Sequence, residues 1–228
     1  MAKNKKYISA KAAIDSKKLY SIEEAVALAK KTSTTKFDAS IDIAIKLNLD
    51  TTKAEQQLRG TIALPYYFGK QIKILALSEA ATAAQAKEAG ADYFGGKDKI
   101  DEIKNGWLDF DVMITTPKFM PELSKLGKVL GPKGLMPNPK LGTVTPDVLK
   151  TIKEFKKGKM NYRTDTYGNI HMTVGKVSAA AEKIIDNIRT LLEFIIAKRP
   201  STVKGDYVQK IYLSSTMGPA IKIDINKN

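Results

Sequence analysis

The sequence predicts a mixed fold of two domains, with a Rossmann-like α/β domain inserted into an outer, split α+β sandwich. Two observations carry this. Both ends of the chain hold runs in which apolar and polar residues alternate, such as "SIDIAIKLN" at 40–48 and "AIKIDIN" at 220–226. Alternation of that kind marks strands with one buried and one wet face. The middle instead intersperses short apolar strands with helical stretches, the pattern of a parallel sheet. Junctions are expected near 65–70 and 156–159. The outer domain is then 1–67 plus 159–228 and the inserted domain 68–158, with two adjacent crossovers forming a hinge.

Each element follows in order along the chain. "SIEEAVALAKK" opens with Ser21 and carries Glu24 three residues on, a capping box that starts a helix. In the strand at 40–48, Ile41, Ile43, Ile45 and Leu47 face one way; Ser40, Asp42, Lys46 and Asn48 face the other. In the middle, "QIKILAL" reads as a strand, "SEAATAAQAKEAG" as a helix and "ADYFGG" as a turn. "KDKIDEIKNG" is a second helix, "FDVMIT" a second strand and "TPDVLKTIKEFKKG" a further helix. "NYRTDTYGNIHMTVGKV" reads as a hairpin turning near 167–169, where Gly168 is available for a positive φ. Residues 178–198 form a long amphipathic helix, and Pro200 follows its end. "YVQKIYLSS" and "AIKIDIN" are two more strands around the short link "TMGP".

Composition narrows the function. No run of about 18 apolar residues is present, so no membrane span is expected. The basic N-terminus lacks the apolar core of a secretory signal. Cysteine is absent, which excludes disulfides and thiolate metal sites. All three fit a cytosolic protein. The net charge of +14 favours a polyanionic partner, because each neutralised phosphate releases counterions. The alternatives are a merely solubilising lysine surface, or an anionic membrane surface for which no strongly amphipathic basic helix is found. Residues 68–158 hold 15 Lys and 11 acids, a net of +4; the outer segments hold 23 Lys and Arg against 13 acids, a net of +10. The outer segments are therefore the expected nucleic-acid surface.

Catalytic chemistry finds few candidates. His171 is the one histidine, placed on a strand, and no carboxylates cluster near it in sequence. It reads as a strand residue that packs or meets RNA rather than a catalyst. "ADYFGGKD" at 91–98 approaches the spacing of a phosphate-binding loop, but Ala91 replaces the first glycine and Asp98 the magnesium-holding hydroxyl. A carboxylate there repels the phosphate. The stretch "GKVLGPKGLMPNPKLGTVTPD" at 127–147 holds four glycines and four prolines, too many for a helix or sheet interior. It is a shaped basic loop that either touches phosphate through Lys128, Lys133 and Lys140 or simply connects elements. No cofactor or metal is expected.

Together with "STMGPAIKI" and "KFDASIDIAIKLNLD", that loop closely resembles the ribosomal protein L-one family, the stalk protein of the large ribosomal subunit. The likeness spans essentially the whole chain. It implies the hinged two-domain fold, direct binding to large-subunit (23S) rRNA, and a place in the mobile stalk beside the tRNA exit (E) site. It further implies release of deacylated tRNA from that site, and repression of the protein's own operon through an mRNA that mimics the rRNA site. It implies a protein that is monomeric when free of the ribosome. In this family the main RNA surface lies on the outer domain. Lys36, Phe37, Ser40 and Asp42 match its first strand region, and Thr216, Met217, Gly218 and Pro219 match the link between its last two strands. Thr216 offers a hydroxyl for a ribose 2′-OH, Gly218 a close backbone approach, and Phe37 and Met217 apolar cover. Arg163, His171 and Lys176 are further backbone contacts, and Lys128, Lys133 and Lys140 auxiliary ones. Ala39 departs from the acid common there, and lysines stand at 128 and 133 where arginine is common, which forfeits a planar bidentate fork. A phosphate-ligand enzyme on the inserted domain and a generic nucleic-acid-binding module are the rival readings.

Overall fold

The computed structural model describes residues 5–15, 17–53, 55–69, 72–78 and 83–224. Its elements run α1 (Lys5–Ala12), α2 (Ile22–Lys31), β1 (Ser40–Leu47), β2 (Arg59–Ala63), β3 (Ile74–Leu77), α3 (Ala83–Ala89), β4 (Tyr93–Gly95), α4 (Lys97–Lys104) and β5 (Val112–Thr115). They continue with α5 (Met120–Lys125), α6 (Gly127–Leu130), α7 (Val148–Lys156), β6 (Lys159–Arg163), β7 (Asn169–Lys176), α8 (Ala181–Ala197), β8 (Val208–Ser215) and β9 (Ile221–Ile223). The parts of the sequence-predicted elements at Gln71, 79–82 and 225–226 lie outside the described residues. The chain divides into two compact units, Met1–Gly69 with Tyr162–Asn228, and Lys70–Asn161.

The first unit is built on an antiparallel sheet in the order β7-β1-β8-β9. In β1 the alternation is realised residue by residue: Ile41, Ile43, Ile45 and Leu47 are buried, and the residues between them keep contact with water. Helices α2 and α8 cover the apolar face. Ser21 caps α2, its Oγ accepting from the Glu24 N–H at 3.2 Å. Glutamates in the first turn and lysines in the last complement the helix dipole. Helix α8 buries Ile184, Ile188, Leu191, Leu192 and Ile195, one stripe at helical spacing.

Two expectations are corrected here. The stretch from β6 to β7 is not a laddered hairpin. The chain does turn at 165–169, with Gly168 at φ 77°, but β6 pairs with β2 while β7 pairs with β1. The two arms meet only at the turn, through the bridge of Thr164 to Ile170 and the hydrogen bonds between Asp165 and Asn169, among the described residues. The partner strand β2 (sequence "RGTIA") carries one exposed arginine and one glycine, so its alternation is too short to announce itself.

The second correction lies in the second unit. "ADYFGG" is not a turn but contains β4, which pairs parallel with β3; β5 pairs parallel on the other side, giving the order β4-β3-β5. Leu75, Leu77 and Met113 pack on one face with Ile100, Ile103, Phe119 and Leu123. Ile74, Ala76 and Ile114 pack on the other with Ala86, Val148, Ile152 and Phe155. Strands covered on both faces read as continuous apolar runs, as this sheet does.

Candidate nucleic-acid interface

The end of the first unit's sheet where β1 begins and β8 finishes gathers most of the residues singled out from the sequence. Ser40 and Thr216 are joined three times. The Thr216 N–H donates to the Ser40 carbonyl at 2.9 Å, and the Ser40 N–H donates to Thr216 Oγ1 at 3.2 Å. The Thr216 hydroxyl in turn donates to the same Ser40 carbonyl at 3.2 Å. In the family resemblance that hydroxyl is expected to meet a ribose 2′-OH. The structure spends its proton on Ser40, leaving one lone pair for an incoming donor.

Past this junction the link turns sharply. Met217 has φ 62°, the sole positive φ at a non-glycine position among the described residues, and its side chain is 77% exposed. An L-residue in that region costs about 1–2 kcal/mol. The Gly218 N–H closes the turn on the Ser215 carbonyl at 2.8 Å. Gly218 itself has no positive φ; it is a glycine because a Cβ there would strike the buried hydroxyl of Ser215. The constraint therefore comes from inside the fold. Pro219 behind it is buried.

Across the sheet, Lys176 stands opposite Ser40 in the β1–β7 register. Its ammonium lies 3.8 Å from Asp38. Asp38 also accepts from the Ser178 hydroxyl at 2.8 Å and the Ser178 N–H at 3.0 Å. These two bonds, helped by Lys176, hold the Asp38 carboxyl below its ordinary range. The segment so anchored carries Lys36 and Phe37. Phe37 is 60% exposed, and its carbonyl accepts from the Thr35 hydroxyl at 3.0 Å. Asp42, two residues into β1, accepts from Thr173 Oγ1 at 2.6 Å, which uses part of its acceptor capacity on the protein.

His171 and Arg163 do not share this end. His171 faces Ala44, four residues from Ser40 and so roughly 13 Å along the strand. Its Nε2 lies 3.5 Å from Asp165. Burial alone would raise the Asp165 carboxyl, but the backbone and side-chain N–H groups of Asn169, the Tyr167 N–H and His171 outweigh it and hold it low. Arg163 ends β6 and lines a separate open cleft of about 480 Å³ with Thr51, Gln57, Thr164, Asp165 and Thr166.

The glycine–proline loop lies in the second unit and consumes its own donors. Gly131, Gly134, Leu135, Leu141, Gly142 and Thr143 all donate their N–H groups to carbonyls within the loop. The Asn138 carboxamide accepts from the Lys140 N–H at 2.9 Å, and the Thr115 N–H of β5 donates to the Thr143 carbonyl at 2.9 Å. No cradle of free N–H groups for a phosphate remains at those positions. What the loop offers outward is the exposed side chains of Lys128, Lys133 and Lys140. At 91–98, β4 does feed Gly96 and α4 directly, against expectation. Asp98, exposed in the first turn of α4, repels a phosphate there.

Sequence reasoning missed Ser215, Asp38 and Ser178, the residues that hold the link and the Phe37 segment. It also missed Lys210, Tyr212 and Lys222, which the β8 and β9 registers set on the wet face beside β1. The same alternation rule that oriented β1 would have found these three. Among the described residues, no helix is long and apolar enough to cross a membrane and no group of three His, Cys, Asp or Glu is placed to hold a metal.

The model of the ribosomal protein L1p/L10e family matches residues 29–219, which includes β1, the glycine–proline loop and the link after β8. The chain belongs to the ribosomal protein L1p/L10e family. It is 60% identical over 222 residues to the large ribosomal subunit protein uL1 of Mycoplasmoides gallisepticum, covering 97% of each chain. It is 58% identical over 229 residues to that of Ureaplasma urealyticum, covering all of both, and 56% identical over 226 residues to that of Mycoplasma pneumoniae, covering 99% of each. The L1p/L10e family is a structural one of the ribosome, and the chain is accordingly not an enzyme.

Proposed function

We propose that this protein works on the cytoplasmic ribosome, where it binds large-subunit rRNA directly through the first unit. The contact surface is the sheet end formed by Lys36, Phe37, Ser40, Asp42, Lys176 and residues 216–219. Placed in the mobile stalk beside the E site, it takes part in releasing deacylated tRNA. By binding an operon mRNA that presents the same RNA shape, it represses its own synthesis. Arg163 and His171 extend the contact along the backbone, and the loop lysines of the second unit add auxiliary charge.

The observation that carries this reading is the Ser40–Thr216 junction, which holds Met217 exposed in a left-handed conformation. Strain of that kind persists where the surrounding structure over-determines it, and it clusters at binding sites. The outer segments' net charge of +10 supports a phosphate-rich partner. The test compares wild type, Thr216→Ala, Met217→Ala and Lys133→Ala for binding to a stalk rRNA fragment. Each of the first two substitutions is expected to cost about 1–3 kcal/mol, and Lys133→Ala much less. A Met217→Ala protein that binds as wild type removes the link from the interface.

A further inference from the structure

The wet face of the first unit's sheet carries a row of which only His171 has a role so far, as a contact to the RNA backbone. His171 on β7 lies opposite Ala44 on β1, Ala44 opposite Tyr212 on β8, and Tyr212 opposite Lys222 on β9. Residues aligned across a sheet stand on the same side of it. Their neighbours along each strand, Ile43, Ile45, Met172, Ile170, Ile211 and Leu213, are the buried ones. The row is therefore on the face that α2 and α8 leave open. Its central member is the smallest, so two ring-bearing residues flank a low floor.

Two strand spacings put His171 and Tyr212 about 10 Å apart at Cα. A planar group between two rings takes about 7–8 Å, given contacts of about 3.5–4 Å on each side. The rings need lean inward by only about 1 Å each. In the free protein the imidazole reaches outward instead, its Nε2 3.5 Å from Asp165 on the side of β7 away from β1, so a base enters as that contact opens. The next row on one side is Asn169, Lys46 and Lys210; on the other it is Thr173, Asp42 and Ser214. One edge of the slot thus carries two ammonium groups and the other hydroxyls with a carboxylate already bound by Thr173 at 2.6 Å. Lys46 is held by the Tyr167 carbonyl. Lys222 closes the row beyond Tyr212.

We infer that His171, Ala44 and Tyr212 form a slot for one unpaired nucleobase of the bound RNA. The base stacks between the two rings over Ala44, its phosphates run on the Lys46–Lys210 side, and its polar edge meets Thr173 and Ser214. Aromatic stacking on a sheet face accepts any base and complements lysines that follow the backbone. The slot rests on the RNA-binding reading given above, and it makes the sheet face part of the contact.

The chain has a single histidine, so its ring protons give a unique NMR probe. With the stalk rRNA fragment, the His171 ring resonances are expected to move upfield as a base covers the imidazole. Tyr212→Leu removes one wall and Ala44→Leu fills the floor; each is expected to weaken binding by about 5- to 100-fold and to abolish most of that shift. Thermal melts of both variants establish that they fold. Should Ala44→Leu fail to fold, Tyr212→Leu and the wild-type shift decide. Selective wild-type binding, with both variants within about 2-fold of it and an unmoved His171 resonance, overturns the slot and leaves the RNA reading standing. A wild type that binds a scrambled RNA equally well overturns the reading itself, and the slot with it.

Discussion

The hydroxyl of Ser215 lies directly beneath the Cα of Gly218, where a Cβ at position 218 would collide with it. The two residues are also bonded, the Gly218 N–H donating to the Ser215 carbonyl at 2.8 Å. Side chain and backbone of Ser215 thus fix the turn that displays Met217. Gly218→Ala is expected to displace the turn, costing about 1–3 kcal/mol of stability and a similar amount of RNA affinity. Combining it with Ser215→Gly relieves the side-chain clash and should recover most of both. Denaturant unfolding and RNA titration of the single and double variants check this.

Met217 separates stability from binding. Its φ of 62° is unfavourable for any L side chain, so Met217→Gly is expected to stabilise the fold by up to about 1 kcal/mol. The same change removes an exposed apolar contact and is expected to weaken RNA binding by about 1–3 kcal/mol. The two quantities should move in opposite directions in paired unfolding and binding measurements.

Asn187 is the polar centre of the first unit. It is fully buried on α8, its Nδ2 donates to the Tyr66 and Val174 carbonyls at 2.7 and 2.9 Å, and its Oδ1 accepts from the Tyr66 N–H at 3.0 Å. Asn187→Ala strands all three backbone groups and is expected to destabilise by about 1–3 kcal/mol or more. Calorimetry of the variant measures it.

Tyr207 sets an alkaline limit. Among the described residues its hydroxyl is buried without a hydrogen-bond partner, and burial, reinforced by Tyr162 and opposed by Arg199, pushes its pKa up to about 12. A folded pKa above the unfolded value of about 10 stabilises fully below pH 10 and is lost as pH rises from there through 12. Tyr207→Phe is expected to leave stability at neutral pH unchanged or raise it by up to about 2 kcal/mol. It should also flatten the fall in stability between pH 10 and 12, which melting curves across that range will reveal.

Much of this was legible in the sequence because it depends on periodicity. The alternation in β1 set its buried face, and Ser21 with Glu24 marked the start of α2. What was not legible depends on partners distant in sequence. Strand β4 spans three residues and is strand only because β3 lies beside it. Strand β6 chooses β2, about 100 residues away, over the nearer β7. At the candidate interface, the residue types of the link were readable, but their roles were not. Nothing local to "TMGP" indicates that Thr216 is bonded to Ser40, or that Gly218 is required by a hydroxyl beneath it.

A salt titration of binding to two RNAs separates specific recognition of rRNA by the first unit from attraction to phosphate alone. The stalk fragment and a scrambled RNA of equal length are each titrated from low to physiological ionic strength. Log K is expected to fall linearly with log salt for both, because phosphate contacts dominate. The stalk fragment is expected to stay tighter by at least about 1,000-fold throughout, because base and shape contacts survive screening. Equal affinities at every salt concentration would rule out specific recognition.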